Sequence, residues 1–117
     1  MKNVIKIKRL YDTPEKADGF TILVDRLWPR GISKQDAYWD VWLKEVAPSS
    51  ELRKWFNHDP EKWQAFKKAY EKELKDNAAL EELIDLLHHH KIVTFLYGTK
   101  EREHNHAVVL KEVVEEG

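Results

Sequence analysis

The chain has 117 residues, which is enough for one domain and too short for two ordinary ones. Hydrophobic residues make up 42% and charged residues 35%, a globular balance, and five Trp, four Tyr and four Phe argue against disorder. The absence of cysteine excludes a disulfide scaffold, a thiolate metal site and a cysteine nucleophile, and a formal net charge of −1 removes any global pull toward nucleic acid.

Taken in chain order, Val4-Ile5-Lys6-Ile7-Lys8 alternates apolar and basic residues, as a half-exposed strand does. A turn is expected at Asp12-Thr13-Pro14, closed by Asp18-Gly19. Phe20-Thr21-Ile22-Leu23-Val24 is a continuous β-forming run and predicts a buried central strand. Pro29 and Gly31 forbid its continuation through Asp25-Arg26-Leu27-Trp28-Pro29-Arg30-Gly31.

Ser33 with Asp36 resembles a capping box, and Trp39, Trp42, Leu43 and Val46 fall on one helical face, so a helix is expected up to Ala47-Pro48. Ser49 and Ser50 suit the cap of a short helix carrying Leu52, Trp55 and Phe56. Asp59-Pro60 opens a long amphipathic helix through Trp63, Phe66, Tyr70 and Leu74. Asp76-Asn77 separates it from Leu80, Leu83, Ile84 and Leu87. Ile92 to Tyr97 predicts a second buried strand ended by Gly98, and Asn105 suits the cap of a final helix.

The resulting β-β-α-α-α-β-α order predicts a small α/β domain with a mainly parallel sheet of three to four strands flanked by helices, the whole chain forming a single domain. The short link between the first two strands suggests that this pair is antiparallel, whereas Phe20–Val24 and Ile92–Tyr97, separated by helices, should be parallel. No stretch approaches the roughly 20 apolar residues of a membrane helix, and Met1 to Lys6 lacks the apolar core of a secretion signal. A cytoplasmic protein with no membrane partner is expected.

In a parallel sheet, ligands gather beyond the carboxyl ends of the strands. Two segments qualify: Asp25 to Gly31, and Gly98 to His106, which opens into a helix N-terminus that favours anions. Arg26 and Arg30 bring planar forks suited to phosphate or carboxylate, and Lys34 and Lys100 add charge. Asp25 suits a base or a residue that holds an arginine in place. Four of the five arginines lie in residues 1–59, where 11 Lys and Arg face 9 Asp and Glu. The bland alternative is a structural ion network around Asp25, with Trp28-Pro29 as a lid over the core edge.

Arg53-Lys54-Trp55-Phe56-Asn57-His58-Asp59 places basic residues beside aromatics, a pattern used for nucleic acid, although Trp55 and Phe56 suit the core and Asp59 suits a cap. His88-His89-His90 reads best as a helix C-terminus, because adjacent side chains on a turn do not converge on one ion. His104 and His106 with His58 or Asp59 are the remaining metal candidates. No metal and no cofactor are expected.

Several runs carry a resemblance: Lys8-Arg9-Leu10-Tyr11-Asp12, Val24-Asp25-Arg26-Leu27-Trp28-Pro29-Arg30-Gly31, Ala47-Pro48-Ser49, Leu52 to Phe56, His58-Asp59-Pro60, Tyr70 with Glu73-Leu74, and Asn105-His106-Ala107. In order and over almost the whole chain, they resemble the YeaO-like short branch of Domain of Unknown Function family 488. The resemblance implies a small prokaryotic cytosolic α/β protein with no established reaction. A longer branch, which looks like a phosphate-handling enzyme, carries a cysteine and then Cys-His-Arg in its last strand-loop-helix. Here that stretch reads Tyr97-Gly98 and Asn105-His106-Ala107, so cysteine chemistry does not carry over and binding or acid–base work remains.

The expectation is an anion pocket at the carboxyl edge of the sheet for a nucleotide, a phosphorylated metabolite or a nucleic-acid end. Arg26, Arg30, Trp28, Lys34 and Lys100 would serve it, with Tyr97, Asn105 and His106 on the far wall and Arg53 and Tyr70 arriving from helices. Asp25 and His106 are the acid–base candidates, without an evident nucleophile. The alternative is a non-catalytic module that binds nucleic acid or protein.

Overall fold

Four strands, Val4–Arg9 (β1), Phe20–Leu23 (β2), Val41–Trp42 (β3) and Ile92–Tyr97 (β4), form one sheet in the order β1-β4-β2-β3 in a computed structural model that describes residues 3–116. Met1 and Lys2, part of the segment assessed for a secretion signal, lie outside the described residues. Every strand pair is parallel: β1 and β2 both flank β4, and β3 lies against β2. Residues 93–97 of β4 are buried, as expected of a central parallel strand.

The antiparallel expectation for the first two strands is corrected here, because β1 and β2 are not neighbours at all. A six-residue strand rises roughly 20 Å, and the ten residues from Leu10 to Gly19 reach at most about 35 Å. The link can therefore return to the amino edge and pass β4 with a single 3₁₀ turn, Lys16–Asp18, and no α-helix. Lys6 Nζ donates to Ala17 O (2.9 Å) and Lys8 Nζ to Thr13 O (2.7 Å) and Asp18 Oδ2 (2.9 Å), which tie the link to β1. Thr94 Oγ donates to Asp18 O at 2.6 Å. Gly19, at φ 68°, lies so close to β4 that a Cβ would sit 2.3 Å from Ile92 O.

The helix expected over residues 33–46 is also absent. Ser33 does cap Asp36 N, but only a 3₁₀ turn follows, Lys34–Asp36. The chain then adds β3 to the sheet edge, with Asp40 N on Thr21 O (3.0 Å) and Leu43 N on Leu23 O (2.9 Å), before a second turn at Lys44–Val46. The run Tyr38-Trp39-Asp40-Val41-Trp42 is rich in aromatic and β-branched residues, and sheet pairing outweighs its coincidental helical spacing.

Four α-helices follow the sequence closely: Ser50–Phe56 (α1), Trp63–Lys75 (α2), Ala78–His89 (α3) and His106–Glu116 (α4). Ser49 accepts from Leu52 N and Asn105 from Val108 N, as predicted; Asp59 accepts from Glu61 N and caps a 3₁₀ turn, Pro60–Lys62, that leads into α2; and Asn77, expected only as part of a break, accepts from Ala79 N and caps α3. The helices bury Phe56, Phe66, Tyr70, Leu74, Leu83 and Leu110 against Ile5, Ile22, Val24, Val93 and Phe95. The opposite face is covered by loops. There Leu10, Leu23 and Leu96 pack with Ile32, Tyr38, Trp39 and Trp42. Among the described residues, no helix is long and apolar enough to cross a membrane.

Candidate functional site

Because all strands point the same way, the segments after β1, β2 and β4 emerge at one edge. The Asp25–Arg30 turn and the Gly98–His106 link, predicted to meet, line one cavity of about 560 Å³ together with α1. Asp25, Arg26, Trp28, Arg30, Arg53, Asn105 and His106 all border it. Of the other candidates, Lys34 and Lys100 are exposed outside the cavity lining, and Tyr70 and Tyr97 lie in the core beneath the helices.

Asp25 is tied to the far wall and not to an arginine. Its Oδ2 accepts from Gly98 N at 2.9 Å, and its Oδ1 lies 3.0 Å from His106 Nε2. That nitrogen is also 3.1 Å from Val24 O. Two oxygens facing one ring nitrogen require a proton on it, so His106 carries its hydrogen on Nε2. That hydrogen aligns with Val24 O, and Oδ1 has no other donor. Glycine at position 98 makes the arrangement feasible, since a Cβ there would meet Asp25 Oδ2 at 2.9 Å.

Arg26 has a different occupation. Its Nε donates to Pro48 O (3.1 Å) and its Nη2 to Ala47 O (2.9 Å). Tyr70 donates its hydroxyl to Val46 O, and Asn77 Nδ2 donates to Glu45 O at 2.7 Å. Four successive carbonyls, from Glu45 to Pro48, thus each receive a side-chain donor. Glu73 completes the clamp by accepting from Ser49 N (2.9 Å) and Ser49 Oγ (2.6 Å). Burial pushes the Tyr70 phenol far above its ordinary range, with the neighbouring Glu73 charge adding to the rise, so it remains a donor. Arg26 and Tyr70, expected to serve a ligand, hold the turn that launches α1.

What α1 delivers is Arg53. Its Nε is buried and has no hydrogen-bond partner among the described residues. Lys54 borders the same cavity, and Arg30 stands exposed at its mouth, where its carbonyl accepts from Tyr11 Oη at 2.8 Å. Asn57 and His58 follow with φ of 44° and 57°, two consecutive non-glycine residues in the left-handed region. Asn57 is the left-handed cap that ends α1, its N–H donating to Arg53 O at 3.0 Å, and both residues line the cavity. The lining therefore holds four permanent cations, Arg26, Arg30, Arg53 and Lys54, against one carboxylate, Asp25. Three imidazoles, His58, His104 and His106, add to them.

The remaining wall is braced. Arg102 makes a bidentate pair with Asp12 (3.0 Å each), and Arg9 donates to Thr99 O (2.9 Å) and Gly98 O (3.2 Å). His104 Nδ1 lies 3.2 Å from Glu101 Oε1, with its ring edge-on to Trp63. Asn105 is buried, and its amide is occupied by Glu101 O and Val108 N, so it caps α4. Burial raises the Tyr97 phenol above its ordinary range. Trp28 donates Nε1 to Ile32 O (2.6 Å) and packs edge-on against Trp39 and Trp42.

Sequence reasoning missed Tyr11 as a lining residue. The signal was its position just after β1, hidden by the antiparallel expectation. Among the described residues, no group of three or more His, Cys, Asp or Glu side chains is placed to hold a metal. His90 stacks on Phe20 at 3.8 Å, at the amino edge of the sheet and the opposite end from the cavity.

Comparison with known proteins adds kinship. The chain is 41% identical over 110 residues to the uncharacterized protein Rv3073c of Mycobacterium tuberculosis, covering 94% of this chain and 92% of that one. It is 42% identical over 108 residues to the uncharacterized protein YeaO of Escherichia coli K12, covering 92% and 94%. No solved structure matches. The family model described as the inactive DUF488-N3 subclade matches residues 4–117, and the chain belongs to that family.

Proposed function

We propose that this chain is a receptor for a small phosphate-like anion, such as a nucleotide or phosphorylated metabolite, held in the carboxyl-edge cavity without chemical turnover. The observation that carries the reading is the charge of the lining: four permanent cations face one carboxylate, in a chain whose net charge is −1. That carboxylate is turned toward His106 and Gly98, so it neutralises neither Arg30 nor Arg53. A guanidinium with a buried, unpaired Nε is costly unless a ligand supplies the acceptor.

Binding without turnover is favoured by the residue inventory. The lining holds no cysteine or serine, and its two hydroxyl residues are engaged with the backbone, Thr99 accepting from Glu101 N and Tyr11 donating to Arg30 O, while Asp25 pairs with His106. The description of the matched family as inactive agrees with this.

Thermal unfolding in phosphate, pyrophosphate and chloride at equal ionic strength tests the reading. Stabilisation should rise logarithmically with phosphate or pyrophosphate, as mass action requires, and should shrink in Arg30→Ala and vanish in Arg53→Gln. Equal responses to all three salts, or unchanged responses in both variants, contradict it.

A further inference from the structure

We infer that the ligand of this cavity is the phosphorylated end of a single-stranded nucleic acid, an inference that rests on the anion-receptor reading and names its ligand class. Three observations lead there. The first is the rim. Tyr11 and Leu27, which border the cavity, are 43% and 63% exposed, and Trp55, on α1 but outside the lining, is 45% exposed. Both aromatic rings carry a cation on one face: the Arg9 guanidinium lies 4.9 Å from the Tyr11 centroid, and Lys62 Nζ lies 5.0 Å from that of Trp55. Lys62 also donates to Trp55 O at 2.9 Å, which holds the ammonium beside the indole, and Tyr11 Oη donates to Arg30 O, which fixes the phenol ring. Exposed aromatics beside cations are what bases stack on, whatever their identity.

The second observation disfavours a peptide docked as an added strand. That mode relies on main-chain hydrogen bonds. Here the carbonyls of Arg30, Ala47, Pro48, Gly98 and Thr99 are all occupied by side-chain donors. The third is where the charge lies. The lining carries a surplus of three positive charges, and the chain as a whole carries −1, so everything outside the lining sums to −4. A long polyanion lying across the molecule gains no net attraction from that remainder, whereas a terminus entering the cavity meets the positive surplus.

The test uses fluorescence anisotropy with an eight-nucleotide deoxythymidine strand, 5′-phosphorylated or 5′-hydroxyl, alongside pyrophosphate, a phosphoserine peptide and a blunt duplex. The 5′-phosphorylated strand should bind about tenfold more tightly than its 5′-hydroxyl counterpart, and more tightly than peptide or duplex. Trp55→Ala should weaken the strand about tenfold, the scale of one lost base stack, and leave pyrophosphate binding unchanged. Equal binding of the two strands, tighter binding of peptide or duplex, or indifference to Trp55→Ala overturns the proposal. If pyrophosphate binds and no strand does, the nucleic-acid end falls while the anion receptor stands. If neither binds, both fall.

Discussion

Two of the arginine-bearing segments of this protein, Asp25–Arg30 and α1, meet at the same cavity and do opposite work. Arg26 gives its Nε and Nη2 to the carbonyls of Pro48 and Ala47, beside Tyr70 on Val46 and Asn77 on Glu45, and so closes a clamp around the segment that joins the Lys44–Val46 turn to α1. Arg53, on α1, leaves its buried Nε without a partner among the described residues. A clamp satisfied in every polar group contributes stability, and an unsatisfied cation costs it. The difference teaches that a cationic motif must be judged by what its donors already hold.

Substitutions break or sharpen that contrast. Arg26→Ala should have the largest effect, a loss of about 3 kcal/mol by denaturant unfolding, since it removes two charge-assisted hydrogen bonds and strands two buried carbonyls. Tyr70→Phe should cost about 1–2 kcal/mol in the same measurement, because only Val46 O loses its donor. If either loss is below about 0.5 kcal/mol, the clamp is incidental. Arg53→Gln should change stability by no more than about 0.5 kcal/mol without ligand, and its sign should favour the variant. A loss as large as that of Arg26→Ala would place Arg53 in the structure and remove it from the receptor.

Asp18 offers a smaller, pH-dependent control far from both segments. Burial opposes its ionisation, but the Glu15 N–H and the Lys8 ammonium outweigh burial and hold its carboxyl below the ordinary 3.8. A depressed folded pKa means that the contribution is fully present above the unfolded value and lost as pH falls through the folded one. Stability measured from pH 6 to pH 2 should therefore fall less steeply below pH 3.8 in Asp18→Asn than in the parent chain. Parallel curves contradict the assignment.

Much of this was legible beforehand. Helix caps at Ser49, Asp59 and Asn105 act locally, through an oxygen two or three residues from its donor, so composition and spacing reveal them, whereas at Asn77 only a break was expected. The meeting of the Asp25 and Gly98 segments followed from the parallel pairing of β2 and β4. Tyr11 was hidden because the direction of β1 depends on a link whose reach, not its composition, decides the pairing. Residues 38–42 satisfy both helical and strand spacing, and only the open edge of β2 chooses between them. Arg26 and Tyr70 looked like ligand donors because their partners are backbone carbonyls some 20 residues away, and carbonyls leave no trace in composition.

The central claim is that an anion sits against Arg53 between the Asp25–Arg30 turn and the start of α4. A crystal soaked in tungstate, an electron-dense phosphate mimic, tests it most directly. The account predicts one strong anomalous peak inside the cavity, within hydrogen-bonding reach of the Arg53 guanidinium. A peak elsewhere with the cavity empty, or an Arg53 closed onto a carboxylate of its own chain, contradicts it.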